Sequence, residues 1–341
     1  MSAATMRAAL LDGPGHDLRI AELPLPVLRP GQVLVRLEAC GICHTDVHIW
    51  RHGAGSARAP QPLILGHEGI GRVVEACGDV AGLAPDERVG VPWLAETCGT
   101  CDECLDGMEA FCQSHKAHGY DIQGGFAEYV AVDARFAVRL PGEVDPLAAA
   151  PLMCAGVTAF GAVRRAGLGL GQRVAIFGCG GLGLYAVQLA VRASAEVVAL
   201  DVSSEKLAQA RTLGARHVVE AGPGAGAALQ ALGGVHACIN FAPTPKTWAT
   251  MLAAIRPRGR IVAAAMVSEP VPVQQDWLTA TGVTITGTSV GTRLEMAALM
   301  RLHAAEPLRA EIEPVRLEDA TDVLHRLERG AVAGRAVIKF A

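Results

Sequence analysis

Residues 173–183 read RVAIFGCGGLG, and this stretch decides the fold of the second half of the chain. The residues before the glycines are almost continuously apolar, which is typical of a strand buried on both faces of a parallel sheet. The glycines follow in the spacing G-x-G-x-x-G and lead into a segment with helical spacing. Such a turn between strand and helix brings the backbone close to a pyrophosphate. It predicts a dinucleotide site at Gly178, Gly180, Gly181, Leu182 and Gly183.

Helices and strands continue to alternate after this turn. The helical spacing of LGLYAVQLAVRAS (182–194) is followed by the apolar EVVAL (196–200), and the alternation continues to VTITGTSV (283–290). Repeated strand–helix units of this kind build a doubly wound parallel sheet with helices on both faces. The sequence therefore predicts an α/β fold in which residues 156–288 form an NAD-binding Rossmann domain.

Asp201 ends the strand that follows the glycine-rich turn. An acid at this place accepts hydrogen bonds from the 2′-hydroxyl of the adenosine ribose and repels a 2′-phosphate, which favours NAD over NADP. Lys206 lies five residues further on and could also reach the ribose. The alternatives are that Asp201 is an ordinary strand end or helix N-cap, and that Lys206 is a surface lysine.

The residues before this domain differ in composition and in hydrophobic pattern. Glycine and proline are frequent there, and strand-like runs such as GQVLVRLEAC (31–40) open with a turn and continue in β-branched residues and leucines. We expect residues 1–155 to form a mostly β domain. The last segment, 289–341, contains two short helices and the closing strand GRAVIKF (334–340). It is too short for a core of its own, so we expect it to return to the first domain.

Composition limits the possible functions. The 341 residues are 51% hydrophobic and 19% charged, which predicts two folded domains and argues against disorder. A formal net charge of −4 offers no basic field for nucleic acid or an anionic membrane. The opening MSAATMRAALLDG contains no secretion signal, and the longest uncharged stretches contain proline and glycine. We therefore expect a cytoplasmic protein that binds neither nucleic acid nor membranes.

Four of the ten cysteines fall close together, in the spacing C-x2-C-x2-C-x7-C. Four thiolates can close a tetrahedral shell around zinc, and closed shells of this kind are structural. The opening C-x2-C-x2-C also occurs in ferredoxins, but a fourth cysteine after seven residues, with no proline behind it, speaks against an iron–sulfur cluster. The spacing therefore predicts a structural-zinc lobe over about 91–113, with the ligands Cys98, Cys101, Cys104 and Cys112.

Three further segments carry a resemblance to a known family. They read CGICHTDVH (40–48), GHEGIG (66–71) and MCAGVT (153–158), and they occur in order with the cysteine lobe and GCGGLG (178–183). Together they resemble the zinc-dependent medium-chain alcohol dehydrogenases, most of all the tetrameric yeast and bacterial enzymes, along nearly the whole chain. The resemblance implies a GroES-like fold for 1–155, NAD as cofactor and a homotetramer. It also implies a catalytic zinc with the ligands Cys43, His67 and Cys154.

The implied chemistry is consistent with these residues. Two thiolates and one imidazole leave a zinc position open; the metal lowers the pKa of an alcohol or polarises a carbonyl, while NAD takes the hydride. The resemblance implies that Thr45 and His48 carry the released proton through the cofactor ribose to water. His48 suits this role because histidine titrates near neutral pH. Asp46 would orient His67, and Glu68 would lie behind the metal.

The resemblance adds three cofactor contacts, at His44, Thr158 and Arg335. Read without the resemblance, several of the predicted site residues have ordinary explanations. His44 and His48 would be partly exposed loop histidines, Asp46 a helix N-cap, and Arg335 a surface strand residue.

The substrate pocket is predicted from tryptophans. Trp93 matches a pocket wall of the yeast-type enzymes, and Trp50 is expected near the same entrance. Yeast-type chains carry another tryptophan in the segment that here reads HGAGSARAP (52–60). The loss of that indole predicts a wider pocket, and hence medium-chain or aromatic primary (or secondary) alcohols over ethanol. The alternative is that the loop rearranges and Trp50 fills the gap.

Other functions fit the same scaffold. The substrate could instead be a polyol, a formaldehyde adduct or a terpene alcohol. A metal-free, NADPH-binding quinone-reductase-like relative would share the fold, although the retained cysteines and Asp201 speak against it. The expected partners are therefore a small alcohol or aldehyde and further copies of this chain.

Overall fold

The computed structural model describes residues 4–80, 82–271 and 273–341. The chain divides into two compact units. The first includes the residues up to Ala155 and resumes at Thr292, and the second runs from Gly156 to Gly291. The boundary before the C-terminal segment therefore lies three residues beyond the predicted one.

The first part of the first unit consists mainly of strands. They are β1 (Thr5–Leu11), β2 (Arg19–Pro24), β3 (Gln32–Gly41), β4 (Leu63–Ile64), β5 (Gly69–Cys77), β6 (Arg88–Val91), β7 (Leu94–Glu96), β8 (Lys116–Ala117), β9 (Tyr129–Asp133) and β10 (Val138–Arg139). The helices between and after them are α1 (His44–His52), α2 (Asp102–Leu105) and α3 (Pro146–Ala149). Strand β3 is the long central strand, and its apolar residues are buried along nearly its whole length.

The second unit alternates strands and helices. Its strands are β11 (Arg173–Phe177), β12 (Glu196–Asp201), β13 (His217–Glu220), β14 (Val235–Asn240), β15 (Ile255–Ala263) and β16 (Thr284–Gly287). Its helices are α4 (Ala155–Ala166), α5 (Gly183–Arg192), α6 (Ser204–Thr212), α7 (Ala225–Ala231), α8 (Thr247–Ala254) and α9 (Gln275–Thr281). The strands pair in parallel in the order β13-β12-β11-β14-β15-β16. The glycine-rich turn therefore follows β11, an inner strand, at its carboxyl end.

The C-terminal segment completes the main sheet of the first unit. It forms α10 (Arg293–Ala305), β17 (Ile312–Val315), α11 (Ala320–Glu328) and β18 (Arg335–Lys339). Strand β18 pairs antiparallel with β3 and parallel with β17. The resulting order is β10-β6-β5-β3-β18-β17, with β9 also paired to β3. One core cluster of this unit packs side chains of β1, β3, β5, α1, α11 and β18 together.

These elements confirm the predicted α/β fold, with a doubly wound parallel sheet in the second unit and a mostly β first unit. Among the described residues, no single helix is long and apolar enough to cross a membrane. The bent pair Pro146–Met153 and Ala155–Ala166 passes that test by length and composition alone.

Candidate functional site

The first candidate metal site brings together residues from distant parts of the chain. Cys43 immediately precedes α1, His67 lies in the loop before β5, and Cys154 follows a short helical turn, Ala150–Met153. The potential ligand atoms of these three residues and of Glu68 all lie within 4.8 Å of one another. All four side chains are buried. We call this group the Cys43 cluster.

Asp46 holds the loops that carry two of these ligands. Its carboxylate accepts a hydrogen bond from the backbone N–H of Cys43 at 2.8 Å and another from Gly66 at 3.1 Å. The oxygen that faces Gly66 also lies 3.3 Å from Nδ1 of His67. A carboxylate beside one ring nitrogen fixes the orientation of an imidazole and raises its basicity toward a metal.

The buried imidazole nitrogens of His67 have no hydrogen-bond partner among the described residues. The side chain is fully buried, and neither ring nitrogen makes a hydrogen bond to a described residue. Burial lowers the pKa of His67, but the adjacent Asp46 outweighs it and raises the pKa well above its usual value. The site therefore favours a cation at this imidazole. Because Nδ1 faces Asp46, Nε2 is the nitrogen available to a metal.

The two cysteines of the cluster suit the same ion. The neighbouring Cys154 thiol holds the pKa of Cys43 well below its usual value against the effect of burial, and His67 lowers it further. Thiolate and imidazole are the ligands that zinc prefers, and three protein ligands leave one position open. The residues present therefore fit a catalytic zinc.

Glu68, the fourth member of the cluster, is paired with an arginine. Nη2 of Arg335 lies 2.6 Å from each oxygen of the Glu68 carboxylate, and both side chains are buried. Burial raises the pKa of Glu68 to about 7, although Arg335 opposes the shift. Arg335 begins β18, so the pair joins the loop that carries His67 to a strand of the main sheet.

The four-cysteine cluster is compact. The Sγ atom of Cys98 lies 3.9 Å from that of Cys104 and 3.6 Å from that of Cys112. Cys101 is the fourth member, and all four sulfurs lie within 4.8 Å of one another. Sulfurs about 2.3 Å from one tetrahedral zinc are about 3.8 Å apart, so the group fits zinc. Backbone N–H groups of Thr100 and Cys101 lower the pKa of Cys98 to about 6, which favours the thiolate.

The glycine-rich turn has the shape that a dinucleotide requires. Gly178 has a φ of +90°, and a Cβ at Gly183 would lie only 1.8 Å from the Gly178 carbonyl oxygen. These two positions therefore need glycine for the fold itself. A Cβ at Gly180 would meet no heavy atom within 4 Å. The space above Gly180 is open, as expected where a pyrophosphate approaches the backbone.

Asp201 lies beside this turn. Its carboxylate accepts hydrogen bonds from the backbone N–H of Cys179 at 2.7 Å and of Ser203 at 2.9 Å. Each oxygen keeps capacity for one more hydrogen bond, so it can also accept from a ribose hydroxyl. Lys206 is half-buried in the first turn of α6. Burial raises the pKa of Cys179 to about 12, which makes this thiol inert.

The remaining predicted cofactor residues belong to different units. Thr158 lies buried on α4 in the second unit with the glycine-rich turn, whereas His44 and Arg335 lie in the first. Gly181 and Leu182 complete the turn, and Leu182 immediately precedes α5. His48 follows His44 by one helical turn, and both rings are exposed.

The proton-relay residues predicted from the resemblance lie on α1. Thr45 is half-buried and His48 is exposed. The His48 ring centre lies 5.6 Å from that of His44 and 6.5 Å from that of His52. Partial burial lowers the pKa of His48, and both histidine neighbours lower it further.

The structure corrects the prediction for Trp50. Its side chain is fully buried in the core, where Nε1 donates a hydrogen bond to the carbonyl of His16 at 2.7 Å and the ring packs edge-on against His325. The indole anchors α1 and does not line an open pocket. Trp93 is half-buried, and its ring packs edge-on against His67 with centres 4.9 Å apart.

One aromatic side chain near the site was not predicted from the sequence. Tyr120 packs against Trp93 with ring centres 5.7 Å apart, and its hydroxyl lies next to Gly55. Gly55 belongs to the segment where yeast-type chains carry a tryptophan. No spacing or local pattern links Tyr120 to that segment, so only the fold could identify it.

Comparisons with known proteins agree with this geometry. Residues 29–142 match the family described as alcohol dehydrogenase GroES-like domain, and residues 181–305 match the zinc-binding dehydrogenases. An alcohol dehydrogenase from Geobacillus stearothermophilus is 37% identical over 98% of this chain and 99% of its own.

Two of the solved structures that are similar over nearly the full length illustrate the match. The alcohol dehydrogenase of the archaeon Aeropyrum pernix has a TM-score of 0.89 and 34% identity, covering 98% of this chain and 100% of that one. A zinc-binding dehydrogenase from Sinorhizobium meliloti, solved with NADP, has a TM-score of 0.88 and 28% identity, covering 99% and 100%.

Proposed function

Because this chain belongs to the zinc-dependent medium-chain alcohol dehydrogenases, we propose that it interconverts primary alcohols and aldehydes with NAD at the Cys43 cluster. The observation that carries this proposal is the convergence of two cysteines and one buried, unsatisfied histidine within 4.8 Å. This donor set fits a zinc with an open coordination position. When bound, zinc polarises the substrate oxygen and the nicotinamide of NAD accepts the hydride.

The protein's own side chains prepare this site. Asp46 holds the backbone of Cys43 and of Gly66 and orients His67. Trp93 covers one edge of the His67 ring, so water is excluded from that side of the imidazole. The catalytic site therefore rests on a rigid, buried set of contacts before a substrate arrives.

The proton released by the alcohol leaves through α1. We propose that the Thr45 hydroxyl relays it and that His48 passes it to water. The exposed His48 imidazole, whose pKa lies below its ordinary value, is neutral near pH 7 and so can accept a proton. Thr45 serves only as a relay, since a hydroxyl is too weak a base to hold the proton.

We propose NAD as the cofactor. Asp201 is held by two backbone N–H groups at the carboxyl end of β12, next to the glycine-rich turn. A buried carboxylate there can accept a hydrogen bond from a ribose 2′-hydroxyl and repels a 2′-phosphate. Asp201→Asn removes the charge and keeps the shape. We expect this variant to narrow the ratio of kcat/KM for NAD to that for NADP, and an unchanged ratio would contradict the assignment.

We propose medium-chain or aromatic alcohols as substrates. Because Trp50 is locked in the core, it does not replace the indole missing from segment 52–60. Trp93 packs against His67, and Tyr120 packs against Trp93. An apolar wall binds a longer chain through additional buried surface.

We also propose a homotetramer. Strand β16 is an edge of the six-stranded sheet and pairs only with β15 among the described strands. An exposed edge can be extended by the same strand of a second copy. Light scattering coupled to gel filtration measures the assembly directly, and a monomer at working concentrations would refute this part of the proposal.

The function is tested by NADH absorbance with zinc-loaded protein and a graded panel of alcohols, from ethanol through hexanol to benzyl and cinnamyl alcohol. We expect kcat/KM to rise with substrate size. Faster turnover of ethanol than of hexanol would keep the enzyme class and refute the wide pocket. Preferred turnover of a polyol, a formaldehyde adduct or a terpene alcohol would place the chain in another branch of the family.

A further inference from the structure

The solvent-facing side of α1 carries three histidines in a row. His44, His48 and His52 are spaced four residues apart, and all three are exposed. In an α-helix, residues four apart lie on the same face, one turn above the other. The ring centres are 5.6 Å apart for the first pair and 6.5 Å for the second. We call this set the histidine row.

The helix beneath the row is held rigidly. Val47, Ile49 and Trp50 are buried in the core of the first unit. Asp46 caps the first turn through the backbone of Cys43. The histidine side chains therefore project from a fixed backbone, and only their own torsion angles remain to be set.

The ring nitrogens of the row are available. Within the part of the chain that the structure describes, none of the three rings makes a hydrogen bond to another side chain or to the backbone. The nearby Arg51 is neutralised, because its guanidinium pairs with Glu328 and lies 4.1 Å from the centre of the Trp50 ring. Arg51 therefore does not compete with a cation at the C-terminal end of α1.

We propose that His48 and His52 bind a divalent transition-metal ion, such as Zn²⁺, at a third metal site. Two histidines at i and i+4 on one helix face can bind a single zinc. Two imidazoles that share an ion, each about 2.1 Å from it, have ring centres about 5 Å apart. The separation of 6.5 Å between these exposed rings closes to that value by side-chain rotation.

The helix dipole selects this pair over His44 and His48. Unsatisfied carbonyls give the C-terminal end of a helix partial negative charge, which stabilises a cation, and the N-terminal end has the opposite sign. His52 is the last residue of α1, whereas His44 is the first. A metal at His48 and His52 therefore gains from the dipole, and one at His44 would lose.

Occupation of this site inhibits the enzyme, and this consequence rests on the proposed function. A metal on His48 takes the nitrogen that would pass the proton to water, so alcohol oxidation slows. Metal binding itself does not depend on the proposed reaction. A calorimetric titration is therefore independent of any activity assay.

The test begins with protein that already holds zinc at both cysteine-containing sites. Titration with further Zn²⁺ in a weakly coordinating buffer, followed by calorimetry, is expected to show one additional site. His52→Gln should weaken that site by about tenfold or more, since it removes one of two ligands. His217→Gln is the matched control, because His217 lies on β13 in the second unit, where its ring contacts Glu196. A wild-type protein without a third site, or a third site unchanged in His52→Gln, would overturn the proposal.

A second arm links the site to turnover. Zinc added to the wild-type enzyme should lower the rate of NADH formation over the concentration range in which the third site fills. In His52→Gln, inhibition should shift to higher zinc by the same factor as binding. Inhibition that does not shift, while binding does, would refute the inhibitory role. If the protein oxidises no alcohol at all, the proposed function fails, and the titration still decides whether the site exists.

Discussion

The guanidinium of Arg335 is buried against the carboxylate of Glu68, with Nη2 2.6 Å from both carboxylate oxygens. The carboxylate is also within 4.8 Å of the ligand atoms of the Cys43 cluster. A lone negative charge in this place would be both buried and close to two cysteines. By neutralising the Glu68 carboxylate, Arg335 therefore stabilises the loop that carries His67 and Glu68.

The first prediction is the effect of breaking the Glu68–Arg335 pair by mutation. Arg335→Met removes the positive charge, and Glu68, whose pKa is already raised to about 7, then takes up a proton, so the expected cost is about 1–3 kcal/mol of unfolding free energy. The double variant Glu68→Gln/Arg335→Met carries no unpaired charge and should regain most of that loss. Urea unfolding of zinc-loaded protein measures both. Equal destabilisation of the single and double variants would show that the pair matters through packing, and not through charge.

The second prediction separates two glycines of the same turn. Gly183→Ala places a Cβ 1.8 Å from the Gly178 carbonyl oxygen, so the start of α5 must shift and the protein should be strongly destabilised. Gly180→Ala meets no protein atom within 4 Å, so its stability should stay within about 1 kcal/mol of wild type.

Gly180→Ala should nevertheless weaken NAD binding by about tenfold or more, because the methyl group occupies the space of the pyrophosphate. Thermal unfolding and cofactor titration by fluorescence measure the two effects. A Gly180→Ala protein that binds NAD as wild type does would mean that the cofactor approaches the turn elsewhere.

The third prediction concerns the contact between the cysteine lobe and the C-terminal segment. Glu109 accepts hydrogen bonds from the backbone and guanidinium of Arg293, at distances from 2.6 to 3.0 Å. Burial raises the pKa of Glu109, but these hydrogen bonds outweigh it and leave the pKa below its ordinary value of 4.5. The stabilisation is therefore present above the unfolded-state pKa and is lost as the pH falls through the folded-state value.

Glu109→Gln should thus lower stability by about 1–2 kcal/mol at pH 7, a modest value because the Arg293 side chain is nearly half exposed. The difference between wild type and variant should shrink below pH 4.5. Denaturant unfolding of both proteins over a pH series measures it. A difference that is constant with pH would exclude a contribution from the Glu109 charge.

These cases show what a sequence can encode. The four cysteines between 98 and 112 and the glycine turn are local, so spacing alone predicted the residues that the fold brings together. Cys43, His67 and Cys154 are spread over more than a hundred residues, and only the family resemblance connected them. Glu109 and Arg293 are 184 residues apart, and no local pattern links them.

Trp50 illustrates a different limit of prediction from sequence. Its position three residues after Val47 places both on the buried face of α1. That spacing favours the core, but the resemblance drew attention to a pocket. The packing of α1 against α11, which covers the indole, depends on a segment almost three hundred residues away.

The fourth prediction tests the proton exit. His48→Gln should lower kcat for alcohol oxidation by about tenfold or more, because glutamine does not accept the proton. In wild type the rate should fall only below pH 6.5, since the pKa of His48 lies under that ordinary value and the imidazole must be neutral. The variant should lose this acidic limb and recover partly in imidazole buffer. A variant with the wild-type pH profile would move the proton exit to another residue.

In the proposed reaction, a hydride passes from an alcohol to NAD at the Cys43 cluster. The most direct measurement uses hexanol deuterated at C1, with mass spectrometry of the nicotinamide product and metal analysis of the same sample. After dialysis against zinc-free buffer, we predict two zinc ions per chain at the two cysteine-containing sites, deuterium in the reduced cofactor, and loss of one zinc and of all turnover in His67→Ala. Wild-type protein with zinc at both cysteine-containing sites that forms no deuterated NADH, or a His67→Ala variant that forms it as fast as wild type, would contradict the proposed reaction.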